Sequence, residues 1–157
     1  MSFPYKHVLL VGATAGIGKA LAERLLDAGI KVSVVGRRQD RLGALVQQYG
    51  PDKVQAFPFD LANVHEIPQF VQTVVTKADI DCLFLNAGFQ RMQNLADASG
   101  FDLEQFNQQI HVNLTSLVAL THAFLPYLLN RDVPGSIILC GFPPLPFSRS
   151  ALLCPCQ

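Results

Sequence analysis

The chain carries no net charge: 12 lysines and arginines balance 12 aspartates and glutamates, and only 15% of its 157 residues are charged. It has no basic stripe to follow a phosphate backbone, so a nucleic-acid partner is not expected. Met1 to Tyr5 contain no charged residue, and the apolar run Val8 to Val11 meets Gly12 well short of a signal-peptide core or a membrane span. A cytoplasmic chain with no membrane partner is therefore expected. Cys82, Cys140, Cys154 and Cys156 contain no C-x-x-C pair, and without a secretory context they do not suggest a disulfide framework. His7, His65, His111 and His122 lack ligand spacing, so no metal is expected. No internal repeat is visible.

Half of the residues are apolar. That supports one packed domain, while the length leaves no room for a separate substrate domain beside a nucleotide-binding one. Short apolar runs alternate with amphipathic stretches, the pattern of parallel strands joined by crossover helices. The runs are Val8 to Val11, Val32 to Val35, Val54 to Phe59, Cys82 to Leu85 and Ile137 to Cys140, which predict five strands. Ile17 to Ala28 reads as a helix with Ala20, Leu21, Leu25 and Ala28 on one face, and Asp40 to Tyr49 and Val64 to Thr76 read as the next two. Phe106 to Leu129 reads as a long helix with Ile110, Leu114, Leu117, Leu120, Thr121, Phe124 and Leu128 near helical spacing, bent or ended by Pro126. Pro58 cannot donate to a ladder, which puts the third strand at an edge. The pattern points to an α/β fold, and an edge third strand fits a doubly wound parallel sheet of about five strands in the order 3-2-1-4-5.

Between the first strand and first helix stands Gly12-Ala13-Thr14-Ala15-Gly16-Ile17-Gly18. Bare backbone amides and a helix N-terminus at that place favour a phosphate, and glycines let the backbone approach it. Gly12, Thr14, Ala15, Gly16, Ile17 and Gly18 are thus candidate cofactor-binding residues in a Rossmann-like domain. The second strand ends Val35-Gly36-Arg37-Arg38, without the carboxylate that would hold a ribose 2′-OH. Arg37 or Arg38 can instead bond a 2′-phosphate, so the expected cofactor is NADP.

These residues resemble the short-chain dehydrogenase/reductase family, and the match runs from about His7 to Gly141. The spacing Gly12-x-x-x-Gly16-x-Gly18 is that family's own. Asp60-Leu61 stands where the family contacts adenine, Asn86-Ala87-Gly88 matches its motif after the fourth strand, and Asn113 in His111-Val112-Asn113 matches its helix-borne active-site Asn. The resemblance implies an NADP-dependent oxidoreductase acting on a small carbonyl or alcohol substrate, with Asn113 as a catalytic residue. The family usually pairs copies through the long helix and the one that follows the fifth strand; only the first of these is in this sequence, so the resemblance leaves a homo-oligomer open.

The family works with a Ser and a Tyr-x-x-x-Lys pair, because a tyrosine needs a neighbouring cation to act near neutral pH. Here the tyrosines are Tyr5, Tyr49 and Tyr127, the last lysine is Lys77, and Gly141-Phe142 stands where the Ser is expected. The pattern is complete up to the fifth strand and absent beyond it, as in a truncated chain with an unrelated tail. The expectation is an NADP-binding domain over residues 1–142 and an irregular tail over 143–157, lacking catalytic competence; the alternatives are a module that binds NADP or dimerises without turnover and a truncated product with no independent role. Tyr127 with His122 or Lys77 makes a poor substitute acid/base set, since Tyr127 lies near the far end of the long helix. Cys154-Pro155-Cys156-Gln157 has the outline of a prenylation box, but Pro and Cys replace its aliphatic positions. An open fifth strand and an uncovered long helix predict exposed apolar surface and association.

Overall fold

Parallel strands buried on both faces must be apolar nearly throughout. The runs identified above become β1 (His7–Val11), β2 (Lys31–Gly36), β3 (Val54–Pro58), β4 (Cys82–Leu85) and β5 (Ser136–Leu139). The structure is a computed structural model that describes residues 3–91 and 101–140; the expected boundary at 142 and the tail from 143 lie outside the described residues. The strands form one sheet in the order β3-β2-β1-β4-β5, every pair parallel. The connections are α1 (Gly16–Asp27), α2 (Gln39–Tyr49), a 3-10 turn leading into α3 (Ile67–Lys77), and α4 (Leu103–Ile110) joined by a π-turn (His111–Thr115) to α5 (Ser116–Leu129).

Strand alternation splits the core in two. Leu9, Val11, Val35, Leu83 and Leu85 meet Val71 and Val74 of α3 and Leu120 and Phe124 of α5. Val8, Leu10, Val32, Val34 and Cys82 meet Ala22, Leu25 and Leu26 of α1 and Leu42 and Leu45 of α2. Pro58 ends the edge strand, as expected. The ladder bond from the Val32 amide to Lys53 O leaves Val54, Ala56 and Pro58 turned outward. Of these, Val54 already donates to Gly50 O and Pro58 has no N–H to offer, which blunts the edge.

Two helix faces differ from the periodic reading. In α1 the buried residues are Gly18, Ala22, Leu25 and Leu26, whereas Ala20 and Ala28 are exposed. The face begins at Gly18 because that residue is pressed against the preceding turn. The long helix starts at Leu103 and is broken in its regular winding by the π-turn rather than at Pro126, which lies within α5 one turn from its end. A π-turn adds one residue and rotates what precedes it by about 100°. Gln109 is therefore buried in place of Ile110, and Leu114 is 56% exposed, while Leu117, Leu120, Phe124 and Leu128 keep the expected face. By length and composition Leu103–Leu129 is also apolar enough to cross a bilayer; Leu117, Leu120, Phe124 and Leu128 of α5 are buried, while Leu114, Val118, Leu125 and Leu129 are exposed.

The end of the sheet opposite the glycine turn is closed by polar clasps. Asp81 accepts from the amides of Lys6 at 2.7 Å and His7 at 3.0 Å, and the His7 ring is hydrogen-bonded to Ser33 Oγ at 2.9 Å. Burial pushes the His7 ring below its ordinary pKa, only partly opposed by Asp81. Tyr127 accepts from the Ile80 amide at 3.0 Å and donates to Asp79 at 3.0 Å, and Arg131 bonds the same carboxylate, holding it below the usual carboxylate range. Tyr127 is thereby committed to a structural clasp, its hydroxyl pushed up chiefly by burial. Cys82 is buried, its thiol pushed up to about 11 by desolvation, whereas Cys140 is only half-buried. Both are free thiols.

Candidate functional site

The C-terminal ends of β1, β2 and β4, with the segments that follow them and β3, surround a cavity of about 460 Å³. The glycine turn supplies Gly12, Thr14, Ala15, Gly16 and Ile17; the end of β2 supplies Gly36, Arg37 and Arg38; and the loop after β3 supplies Phe59, Asp60 and Leu61. Asn86, Ala87, Gly88 and Phe89 follow β4, and Val112 enters from the π-turn. Gly18 and Asn113 do not line the cavity but stand behind its wall. Phe59, Phe89 and Val112 adjoin motif residues Asp60, Gly88 and Asn113, and that adjacency is the only sequence signal that could have picked them out. A larger, open groove of about 890 Å³ runs between α2, β3 and α3, but it lacks the converging backbone amides of the smaller cavity.

The three turn glycines are needed for different reasons. Gly12 has φ +90°, and a Cβ there would lie 2.7 Å from Ala87 Cα. Gly16 has φ +54° with open space around it, so its requirement is conformational. At Gly18 a Cβ would lie 2.0 Å from Gly12 O and 2.7 Å from Asn86 Nδ2. The bare glycines thus bring the start of α1, the end of β1 and the segment after β4 into direct contact. Val35 O accepts from the amides of Gly12 at 2.9 Å and Ala13 at 3.2 Å, and the Asn86 amide donates to Val11 O at 3.0 Å. Arg41, reaching across from α2, donates to Thr14 O at 3.2 Å.

The electrostatics favour an anion at this turn. The N-cap of α1 is Ala15, which offers no side-chain cap, and the first turn contains no acidic residue. Its leading amides keep their positive end for a ligand. At the other end of the cavity Arg37 stands 3.9 Å from Asp60, with side chains 66% and 41% exposed. That pair is weak and water-screened, so the guanidinium can turn to a better anion. Asp60 also closes its own loop by accepting from the Ala62 amide at 3.1 Å. Asn113 spends both ends of its amide on Phe89, accepting from the Phe89 N–H at 2.9 Å and donating to Phe89 O at 2.7 Å. In this arrangement it holds the segment after β4. No group of His, Cys, Asp and Glu that could hold a metal exists among the described residues.

The family described as short chain dehydrogenase matches residues 6–141. The chain is 35% identical over 146 residues to the uncharacterized oxidoreductase YvrD of Bacillus subtilis, covering 90% of this chain and 54% of that protein. It is 35% identical over 135 residues to the NADP-dependent 3-hydroxy acid dehydrogenase YdfG of Salmonella typhi, covering 85% and 53%. Among solved structures, the closed form of serine dehydrogenase complexed with NADP+ superposes with a TM-score of 0.74 at 32% identity, covering 83% of this chain and 52% of that one. The chain spans about half the length of the curated relatives it matches.

Proposed function

This chain belongs to the short-chain dehydrogenase family, and from that premise we propose that its cleft binds NADP and that these 157 residues do so without turning over a substrate. The observation that carries the cofactor reading is the pairing of an uncapped α1 N-terminus behind the Gly12–Gly18 contact with Arg37 and Arg38 at the end of β2. The pyrophosphate fits the turn formed by Gly12, Thr14, Ala15, Gly16 and Ile17, with Gly18 behind it. A 2′-phosphate fits Arg37 and Arg38. Asp60 and Leu61 flank the adenine end, and Asn86, Ala87 and Gly88 line the same cavity after β4. The cofactor when bound supplies hydride exchange with a small carbonyl or alcohol carbon. The relatives' NADP dependence and the NADP+ complex of a neighbour support this choice.

The residues that would move the proton are not in the chain. No tyrosine follows Tyr127 and no lysine follows Lys77, and Tyr127 belongs to the clasp at the opposite end of the sheet. General acid/base assistance of that kind contributes on the order of 10²–10⁴-fold. Titrating the full chain with NADPH and with NADH, following the reduced-nicotinamide fluorescence, should give saturable binding at least about tenfold tighter for NADPH. Small aldehydes and ketones should leave the NADPH unconsumed. Absence of saturable binding or a preference for NADH sinks the cofactor half, and steady NADPH consumption sinks the other.

A second copy of the chain is the proposed macromolecular partner. Leu114, Val118, Leu125 and Leu129 are 56%, 59%, 41% and 74% exposed, and their spacing keeps them on the outward face of the long helix. Such a stripe is costly in water and self-complementary across a two-fold axis. Light scattering should give twice the chain mass at micromolar concentration, and Val118→Asp should return it to the monomer. A monomeric parent chain contradicts the pairing.

A further inference from the structure

The π-turn between α4 and α5 does more than shift a helix face. It presents His111 and Asn113, two positions apart, to two different loops: His111 Nε2 donates to Ala62 O at 3.0 Å, while Asn113 grips both backbone groups of Phe89. Ala62 belongs to the loop that begins at Asp60, whose carboxylate accepts from the Ala62 amide. The Asn63 amide in turn donates to Asp60 O at 3.0 Å. Ala62 is thus held at its N–H by Asp60 and at its C=O by His111.

We infer that His111 is a positioning residue for the adenine end of the cleft, acting through the Asp60–Asn63 turn. Leu61 and Val112, the chain neighbours of the bonded pair, both line the cavity, whereas His111 does not. The bond therefore ties the loop after β3 to the π-turn, and Asp60 and Leu61 of that loop flank the adenine end in the reading proposed above. A carbonyl only accepts, so Nε2 must carry the hydrogen. Any side chain of similar reach with an N–H at its tip serves the same purpose.

The inference rests on the NADP reading for its ligand but not for its geometry, and one experiment separates the two. The full-length chain, His111→Ala and His111→Gln are compared by amide exchange over residues 60–63 without ligand, and by binding of adenosine 2′,5′-bisphosphate and of reduced nicotinamide mononucleotide. In His111→Ala, exchange over 60–63 should speed up and the bisphosphate should bind roughly three- to tenfold more weakly, with the mononucleotide unchanged. His111→Gln should recover both. Unchanged exchange in His111→Ala, a Gln variant as impaired as the Ala variant, or equal weakening of both probes overturns the inference. If the parent chain binds neither probe, the cofactor reading falls, and the exchange data alone decide whether His111 holds the turn.

Discussion

Gly18→Ala is expected to abolish NADPH binding, by at least about a hundredfold, and to lower the denaturation midpoint, although it replaces a glycine inside a helix. In an open helical position the same change favours the fold by about 1 kcal/mol, because alanine loses less backbone entropy. Gly43 in α2 is such a position, exposed and with nothing within 4 Å of a Cβ. At Gly18 the added carbon would sit 2.0 Å from Gly12 O and 2.9 Å from Gly12 C. Backbone atoms cannot swing aside as a side-chain end can. The start of α1 has to back away from β1, at an overpacking cost of about 1–3 kcal/mol, and the amides aimed at the phosphate go with it. Urea denaturation and NADPH titration of Gly18→Ala and Gly43→Ala measure the contrast directly. A Gly18→Ala chain that is as stable as Gly43→Ala and binds NADPH normally would falsify the contact between α1 and the turn.

The second large effect concerns choice of cofactor. Removing both guanidinium groups, in Arg37→Ala with Arg38→Ala, should weaken NADPH about a hundredfold and leave NADH within about twofold, since charge-assisted bonds of about 1.5–3 kcal/mol are lost only where a 2′-phosphate is present. The Arg37–Asp60 pair offers little resistance to recruitment, being exposed and 3.9 Å long. Competition of the two cofactors for one site reads the ratio. Equal losses for both would mean that the arginines act on the fold or on the field of the whole cleft. An acid introduced at position 36 is a poorer test, because a Cβ at Gly36 would lie 2.5 Å from Thr14 Cγ2 and disturb the turn itself.

The sheet and the turn were readable in the linear chain for a physical reason. A parallel sheet covered on both faces imposes continuous apolar runs, and Pro58 identifies its own strand as an edge because it lacks a donor. Those local facts fit the doubly wound order β3-β2-β1-β4-β5 that the sheet adopts. The spacing of Gly12, Gly16 and Gly18 and the absence of a carboxylate after Val35 were likewise local, so the cofactor class could be proposed before any coordinate. Periodicity misled at two places: in α1, where close contact at Gly18 rather than Ala20 and Ala28 sets the buried face, and at the π-turn, which put Gln109 inward and Leu114 outward although nothing in Gln108-Gln109-Ile110-His111 announces an extra residue.

What the sequence by itself determined is therefore the architecture, the place of the glycine turn and the lack of a Tyr-x-x-x-Lys pair, all properties carried by neighbours along the chain. Only the tertiary structure decided why Gly18 admits no side chain, that Asn113 is occupied with Phe89, that Tyr127 closes the opposite end of the sheet and that His111 reaches Ala62. Each of those depends on contacts across 6 to 68 positions, from Gly18 against Gly12 to Gly18 against Asn86, with the bond from His111 to Ala62 spanning 49. Residue periodicity says which face of an element is buried, but the partner it meets there is set by how the elements cross.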